Sequence, residues 1–180
     1  MEMLSYVPEK SLSGQKIYKK INEDSIILWT KPKKGGVSIK IVIPKQIESD
    51  KDFWIGIGLL IADGTKPGKK NKEKGRIAFT NGDPEQVKTV LKVFDHFGID
   101  RDSWKGIVSA NSYYIQNEDQ FSNKAAKYWS NKTGISKERI STYFYNRKPK
   151  KRRETLQYGT IQIRYSNILL NSVLRKLINN

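Results

Sequence analysis

Residues 53 to 65 read FWIGIGLLIADGT, and this stretch predicts the helix around which the fold is built. Ser49 or Asp50 can cap the N-terminus of a helix that runs from Lys51 to Asp63. Gly64 is placed to end that helix in a left-handed conformation. Apolar side chains occupy almost the whole circumference, so the pattern predicts burial on every side.

The predicted helix carries three small residues, Gly56, Gly58 and Ala62. Gly58 and Ala62 are four positions apart and therefore share one face. Small side chains let two helix backbones approach closely, so this face suits a helix–helix contact. The chain has one such helix, and its natural partner is a second copy related by a twofold axis. We therefore predict a homodimer whose interface contains Gly56, Gly58 and Ala62.

Asp63 occupies the C-terminal end of the predicted helix, where its charge meets the negative end of the helix dipole. This placement is electrostatically unfavourable unless a cation compensates it. In a homodimer two such carboxylates converge beside the axis, so a divalent metal ion is the expected counter-charge. The alternative interpretation is a turn, because Asp-Gly pairs are common where helices end.

The segment Gly58–Gly64, which reads GLLIADG, resembles the last seven positions of the LAGLIDADG motif of homing endonucleases, with five positions identical. The preceding segment Ile43–Ile47, which reads IPKQI, is similar to the approach to that helix in the family. The chain departs from the pattern at Ile61, where the earlier acid of the motif is missing. The resemblance extends from about residue 38 to the C-terminus.

The resemblance implies a site-specific DNA endonuclease that works as a homodimer and makes double-strand breaks at a long pseudo-palindromic site. In the family, the acid that corresponds to Asp63 coordinates Mg²⁺ together with the main-chain carbonyl at the position of Gly64. The resemblance therefore implies that Asp63 is catalytic and that Asp63 and Gly64 bind Mg²⁺ or another divalent cation. Many such enzymes are intron-encoded, but some relatives do not cleave. The alternative is thus a DNA-binding regulator or an intron RNA maturase.

Strands and helices alternate along the rest of the chain. Strands are predicted at residues 25–30, 37–43, 76–80, 140–145, 158–165 and within 104–115, and helices at 83–97, 119–132 and from 166 or 167 onward. This order predicts an α+β fold with an antiparallel β-sheet covered on one face by helices, and the resemblance implies that this sheet has the shape of a saddle. Residues 1–47 are expected to form an N-terminal extension with a β-hairpin, in which residues 1–15 are a loose lead-in. Residues 48–180 are expected to form the DNA-binding and endonuclease domain.

The composition favours a polyanionic partner. Lysine and arginine number 34 against 18 acidic residues, which gives a formal net charge of +16 and a pI near 9.9. The absence of cysteine excludes disulfides, thiolate zinc sites and a cysteine nucleophile. No apolar stretch reaches the roughly 20 residues of a membrane span, and we expect an intracellular protein, cytoplasmic or nucleoid-associated. A general RNA-binding or ribosome-associated protein would share this charge.

Two basic clusters and one sheet face are the predicted DNA-binding surface. The first cluster consists of Lys66, Lys69, Lys70, Lys72, Lys74 and Arg76, and the second of Arg147, Lys148, Lys150, Lys151, Arg152 and Arg153. Such clusters hold phosphates with salt-dependent affinity but carry little sequence information. Base reading is assigned to strand residues on the solvent face, which are Arg76, Ala78, Thr80, Gln162 and Arg164. The alternative is a solvated charged face.

Several aromatic residues are predicted to be structural. Trp54 and Trp129 are expected in the core. Four tyrosines could stack on bases, but aromatic residues on strands are more often packed than functional. These are Tyr113, Tyr114, Tyr143 and Tyr145.

Overall fold

Four α-helices occur in the part of the chain that the computed structural model describes, which is residues 1–31, 38–64, 75–148 and 157–179. They are α1 (Lys51–Asp63), α2 (Pro84–Asp95), α3 (Glu118–Thr133) and α4 (Ile168–Asn179). All four predicted helices are confirmed, with small differences at their ends. None of these described helices is long and apolar enough to cross a membrane.

The ends of α1 are set by two different devices. At the N-terminus, the Asp50 carboxylate accepts a hydrogen bond of 2.8 Å from the Phe53 amide, so the predicted cap is present. The predicted left-handed end at Gly64 is wrong, because this residue has φ −72° and ψ 158°. Glycine is needed there for another reason: a Cβ atom would lie 2.1 Å from the Leu60 carbonyl oxygen. The helix therefore ends at a close backbone contact that no side chain fits.

Seven named strands form two sheets in the described residues. They are β1 (Ile17–Ile21), β2 (Ser25–Thr30), β3 (Lys40–Pro44), β4 (Arg76–Asn81), β5 (Lys105–Asn111), β6 (Ile140–Tyr145) and β7 (Thr160–Ser166). The smaller sheet has the order β1-β2-β3 and the larger sheet β4-β7-β5-β6. The α+β class is confirmed, but the purely antiparallel sheet is wrong, because β5 and β6 pair in parallel. Parallel neighbours need a long crossover, which α3 provides between β5 and β6.

The larger sheet has one apolar face, on which α2 packs against β4 and α3 against β6. Side chains alternate between the two faces of a strand, and on this face five apolar side chains of β4, β5 and β7 are at most 6% exposed. These side chains are Ile77, Phe79, Val108, Ile161 and Ile163. We call the opposite side, which carries the alternate residues, the open face.

The N-terminal region contains more structure than the predicted hairpin. The antiparallel pairing of β2 with β3 is confirmed, and β1 adds a third strand beside β2. The prediction of a loose lead-in is wrong, since Met3 is completely buried. This sheet lies against α4, where the Leu12 amide donates a hydrogen bond of 3.0 Å to the Ser172 hydroxyl. The N-terminal strands and the rest of the chain thus share one apolar cluster.

Candidate metal-binding carboxylate and nucleic-acid interface

Asp63 is the last residue of α1, and its side chain is exposed. The last turn of α1 contains no basic residue, and no described residue forms an ion pair with Asp63. The carboxylate therefore lies at the negative end of a helix without a compensating charge from the described chain. Such a position favours binding of an external cation.

Gly64 connects this carboxylate to the larger sheet. Its amide donates a hydrogen bond of 3.0 Å to the Leu60 carbonyl, and its backbone forms an antiparallel bridge with Phe79 of β4. Among the described strands, β4 is at one edge of the sheet order. The backbone contacts of Gly64 with Leu60 and with Phe79 consequently hold the neighbouring Asp63 at the edge of the sheet.

The described residues contain no group of three or more His, Cys, Asp or Glu side chains that could hold a metal ion. The Asp63 carboxylate and the neighbouring Gly64 carbonyl are therefore not part of a group of three such side chains within the described chain. This arrangement fits Mg²⁺, which usually binds one or two carboxylates, several waters and the phosphates of a substrate. It does not fit a closed structural zinc site, which needs four protein ligands.

The outward side of α1 is an exposed apolar stripe. Trp54, Ile55 and Ile61 are 47%, 45% and 49% exposed, and Gly58 and Ala62 lie between them on the same side. The prediction that Trp54 lies in the core is wrong, whereas Trp129 is buried as expected. We call this surface, made of Trp54, Ile55, Gly58, Ile61 and Ala62, the α1 stripe. A stripe of this kind is typical of a helix that has a partner outside its own chain.

Gly56 and Gly58 have opposite environments. A Cβ atom on Gly56 would lie 2.4 Å from Val93 Cγ2 and 3.0 Å from the Thr89 carbonyl oxygen, both on α2. A Cβ atom on Gly58 would meet nothing within 4 Å. Gly56 therefore serves the contact between α1 and α2 within the chain, which corrects its predicted place in a dimer interface. Gly58 and Ala62 stay candidates for that interface.

The open face of the larger sheet brings Thr80, Gln162 and Arg164 together. The Gln162 amide nitrogen donates a hydrogen bond of 2.8 Å to the Thr80 hydroxyl, and the Arg164 guanidinium donates to the Gln162 amide oxygen. Ala78 lies opposite Arg164 but is only 2% exposed, so its predicted role in base reading is wrong. Amide and guanidinium groups on a sheet face are suited to hydrogen bonds with base edges in the major groove.

The open face has a one-sided charge. Its residues in the four strands are Arg76, Ala78, Thr80, Lys105, Ile107, Ser109, Asn111, Ser141, Tyr143, Tyr145, Thr160, Gln162, Arg164 and Ser166. Three are cationic and none is acidic. Burial, and in second place repulsion from Arg76, lower the pKa of the Arg164 guanidinium, which stays charged at neutral pH. Two cations that repel each other across neighbouring strands favour an anion between them, such as a phosphate.

The four tyrosines that the sequence singled out lie on the open face or directly after β5. All are exposed, with Tyr143 at 60%, so the prediction that they are packed is wrong. Tyr143 and Tyr145 pair in register with Ser109 and Asn111 of β5 on the open face. The alternation in the β6 sequence ISTYFY carries the signal, because it separates these two tyrosines from Phe144. Tyr113 and Tyr114 follow β5 directly.

Arg147 and Lys148, the described part of the second basic cluster, are exposed just beyond β6. The Asn111 side chain holds the backbone there through two hydrogen bonds. Its amide nitrogen donates to the Arg147 carbonyl oxygen at 2.8 Å, and its amide oxygen accepts from the Arg147 backbone N–H at 3.3 Å. The other members of the two clusters lie outside the described residues, except for Arg76 on the open face. These are Lys66, Lys69, Lys70, Lys72, Lys74, Lys150, Lys151, Arg152 and Arg153.

A cleft of about 260 Å³ lies between the end of α1, β4 and α4. Its lining includes Gly64, Arg76 and Arg175. The Arg175 Nε atom is buried without a hydrogen-bond partner, and burial lowers the pKa of this guanidinium. Sequence reasoning missed Arg175, because a single arginine in an amphipathic helix gives no signal. The cleft thus adds a guanidinium beside the end of the helix that carries Asp63.

Comparisons with models of known protein families, with curated proteins and with solved structures found no match to this chain. Function has to be inferred from the residues themselves, from their placement and from the motif.

Proposed function

We propose that this chain is a homodimeric, Mg²⁺-dependent DNA endonuclease of the LAGLIDADG homing type. One observation carries the proposal: the helix that ends in Asp63-Gly64 has an exposed apolar stripe on its side and a cationic, carboxylate-free sheet face next to its end. The stripe supports dimerisation, the carboxylate supports metal binding, and the sheet supports DNA binding. The saddle shape of the sheet and the membership of the family are parts of this proposal.

The dimer forms through the α1 stripe. Exposed Trp54, Ile55 and Ile61 supply apolar area, and Gly58 lets the two α1 backbones approach each other closely. A twofold axis beside the two helices places the α1 stripe of one chain against the α1 stripe of the other. The two Asp63 carboxylates then lie near the axis, one for each DNA strand.

Asp63 and the Gly64 carbonyl hold the metal ion in this proposal. These two groups would hold Mg²⁺, and the chemistry that it would supply there is polarisation of the scissile phosphodiester and activation of water. Asp63 supplies the negative charge for this site, and the close contact between Gly64 and Leu60 keeps the helix end in place. Arg76 and Arg175, which line the cleft beside Gly64, orient phosphate oxygens and water.

The open face binds the DNA target. Arg164 and Gln162 suit guanine and adenine edges in the major groove, with Thr80 fixing the orientation of the Gln162 amide. Arg147 and Lys148 contact the phosphate backbone beyond β6, which adds salt-dependent affinity. The remaining predicted phosphate contacts are the lysines and arginines of residues 65–74 and 149–156.

The test is a selection of cleaved and bound sites from random duplex DNA, in Mg²⁺ and in Ca²⁺, with wild type and Asp63→Asn. We expect cleavage of a defined site in Mg²⁺ by wild type alone and equal binding by both proteins in Ca²⁺. The matched control is Asp52→Asn, which removes an exposed carboxylate from the other end of α1 and one surface ion pair with Lys92. This control should cut normally. Specific binding without cleavage would refute the nuclease and leave a DNA-binding regulator.

The second candidate is an intron RNA maturase, which the exposed tyrosines favour. RNA-binding proteins stack unpaired bases on aromatic side chains of an open sheet, and Tyr143 and Tyr145 have that placement. The same selection with a random RNA library decides between the candidates. Tight, sequence-specific RNA binding that Tyr143→Ala weakens, together with no DNA specificity, would establish the maturase.

A further inference from the structure

The N-terminal sheet has an exposed face that combines an aromatic pair with lysines. In register, Tyr18 lies opposite Trp29, and Trp29 lies opposite Lys40. The two rings stack, with centroids 5.9 Å apart and an interplanar angle of 20°. We call this surface the lysine face. It consists of Lys10, Lys16, Tyr18, Lys20, Ile27, Trp29, Lys31, Lys40 and Val42.

The aromatic pair organises the lysines around it. The ammonium groups of Lys16 and Lys31 lie over the Tyr18 ring, 5.6 and 5.1 Å from its centroid. Lys10 pairs with Lys16 in an antiparallel bridge, so their side chains point to the same side. Two neighbouring ammonium groups repel each other, and cation–π attraction to the Tyr18 ring holds them close together despite this repulsion.

No carboxylate belongs to the lysine face. Three acids are close in sequence: Glu9 directly precedes Lys10, and Glu23 and Asp24 lie in the turn between β1 and β2, at the end where Lys20 is located. Val42 is 49% exposed in the middle of β3. Lysines on edge strands often have no other role than to prevent the association of sheets. That role does not explain why two of these lysines contact a stacked aromatic pair.

We propose that the lysine face binds the phosphate backbone of duplex DNA that flanks the recognised site. The lysines occupy three successive rows, with Lys10, Lys16 and Lys31 in the first, Lys40 in the second and Lys20 in the third. Rows are two residues apart along the strands, or about 6.8 Å, so lysines of different rows can reach different phosphates. The Tyr18 ring lies under ammonium groups and is half-buried, so it does not offer a stacking surface to an unpaired base. This favours a duplex over a single strand. The proposal rests on DNA as the partner in the proposed function, but not on cleavage.

The experiment measures binding of the full chain to a labelled duplex of random sequence, in Ca²⁺, over a series of NaCl concentrations. The variant is Lys16→Gln/Lys31→Gln/Lys40→Gln. Each lost phosphate contact reduces the slope of log K against log[NaCl] by about 0.9, so the expected reduction is about 1.8 if Lys16 and Lys31 share one phosphate and about 2.7 if they do not. The three lysines are exposed, and the variant loses only the two cation–π contacts with Tyr18, so we expect the melting temperature to change by no more than a few degrees.

The matched control is Lys124→Gln/Lys127→Gln/Lys132→Gln, which removes the same charge from the exposed side of α3. Because α3 packs on the apolar face of the larger sheet, we expect the wild-type slope. An equal reduction in both variants, or none in the lysine-face variant, overturns the proposal. The proposal is also overturned if the lysine-face variant loses affinity for single-stranded DNA or RNA but keeps its affinity for duplex DNA. If wild type cuts DNA and the lysine-face variant has the wild-type slope, only the proposal for the lysine face fails. If wild type cuts nothing, the comparison of slopes still tests whether the lysine face binds duplex DNA.

Discussion

Gly58→Ala has opposite expected effects on the single chain and on the dimer. In the chain, the new methyl group meets nothing within 4 Å, so it only removes the cost of a glycine in an exposed helix. That cost is about 1 kcal/mol, which corresponds to a rise in melting temperature of about 2 to 4 °C for a chain of this size. In the proposed dimer, the same methyl group projects into the contact between the two α1 helices.

The dimer loses more than the chain gains. An extra methyl group in a tightly packed interface costs about 1 to 3 kcal/mol, and each dimer contains two of them. The total loss is therefore about 2 to 6 kcal/mol, and its lower end alone raises the Kd of the dimer about 30-fold. Endonuclease activity at low protein concentration should fall with the fraction of dimer.

Sedimentation equilibrium gives the dimer Kd, and thermal unfolding of dilute protein gives the stability of the single chain. The matched control is Gly56→Ala, where the methyl group would overlap Val93 of the same chain. We expect this variant to lower the melting temperature and to affect the dimer only through the stability of the chain. A Gly58→Ala protein with an unchanged dimer Kd, or a wild type that is monomeric at all concentrations, would refute the assignment of the α1 stripe to the interface.

Three further predictions concern the DNA-reading face and the two ends of α1. Arg164→Ala should cost about 1 to 3 kcal/mol of discrimination at one or two positions of the selected site, measured by competition binding, and equal losses at every position would contradict base reading. Gly64→Ala should lower the free energy of unfolding, measured in urea, by about 1 to 3 kcal/mol and abolish cleavage, because the new Cβ would lie 2.1 Å from the Leu60 carbonyl oxygen. Unchanged cleavage would show that the helix end is not constrained. Asp50→Ala should cost about 1 kcal/mol in urea denaturation through the lost bond to the Phe53 amide, and no change would show that another group caps the helix.

The sequence was most informative where local chemistry determines structure. The caps and the apolar periodicity predicted α1 and α2, with the Asp83 carboxylate accepting from the Glu85 amide as its pattern suggests. β1 was missed, because its sequence IYKKI is apolar only at its ends and places lysines on the outside. The parallel pairing of β5 with β6 was also missed, although a helix between two neighbouring strands is the pattern that calls for it.

The candidate site was predictable only in part, because identical residue types lie on different sides of one helix. Asp63 follows from the motif and from its place at the helix end. Gly56 and Gly58 look alike in sequence, and only the presence of α2 against Gly56 separates them. Trp54 was assigned to the core because a helix that is apolar all round cannot show which side its own chain leaves uncovered.

The order of strands in the larger sheet has a consequence for synthesis on the ribosome. β7 lies between β4 and β5, although it is the last strand to be made, and 82 residues separate Thr80 from its partner Gln162. At roughly 5 to 20 residues per second, translation needs roughly 4 to 16 seconds to cover that distance. During this time α2 can already cover Ile77 and Phe79, but the backbone edge of β4 has no β7 to pair with, so the nascent chain exposes an unpaired strand edge. Folding of the larger sheet is therefore completed only after β7 has left the ribosome.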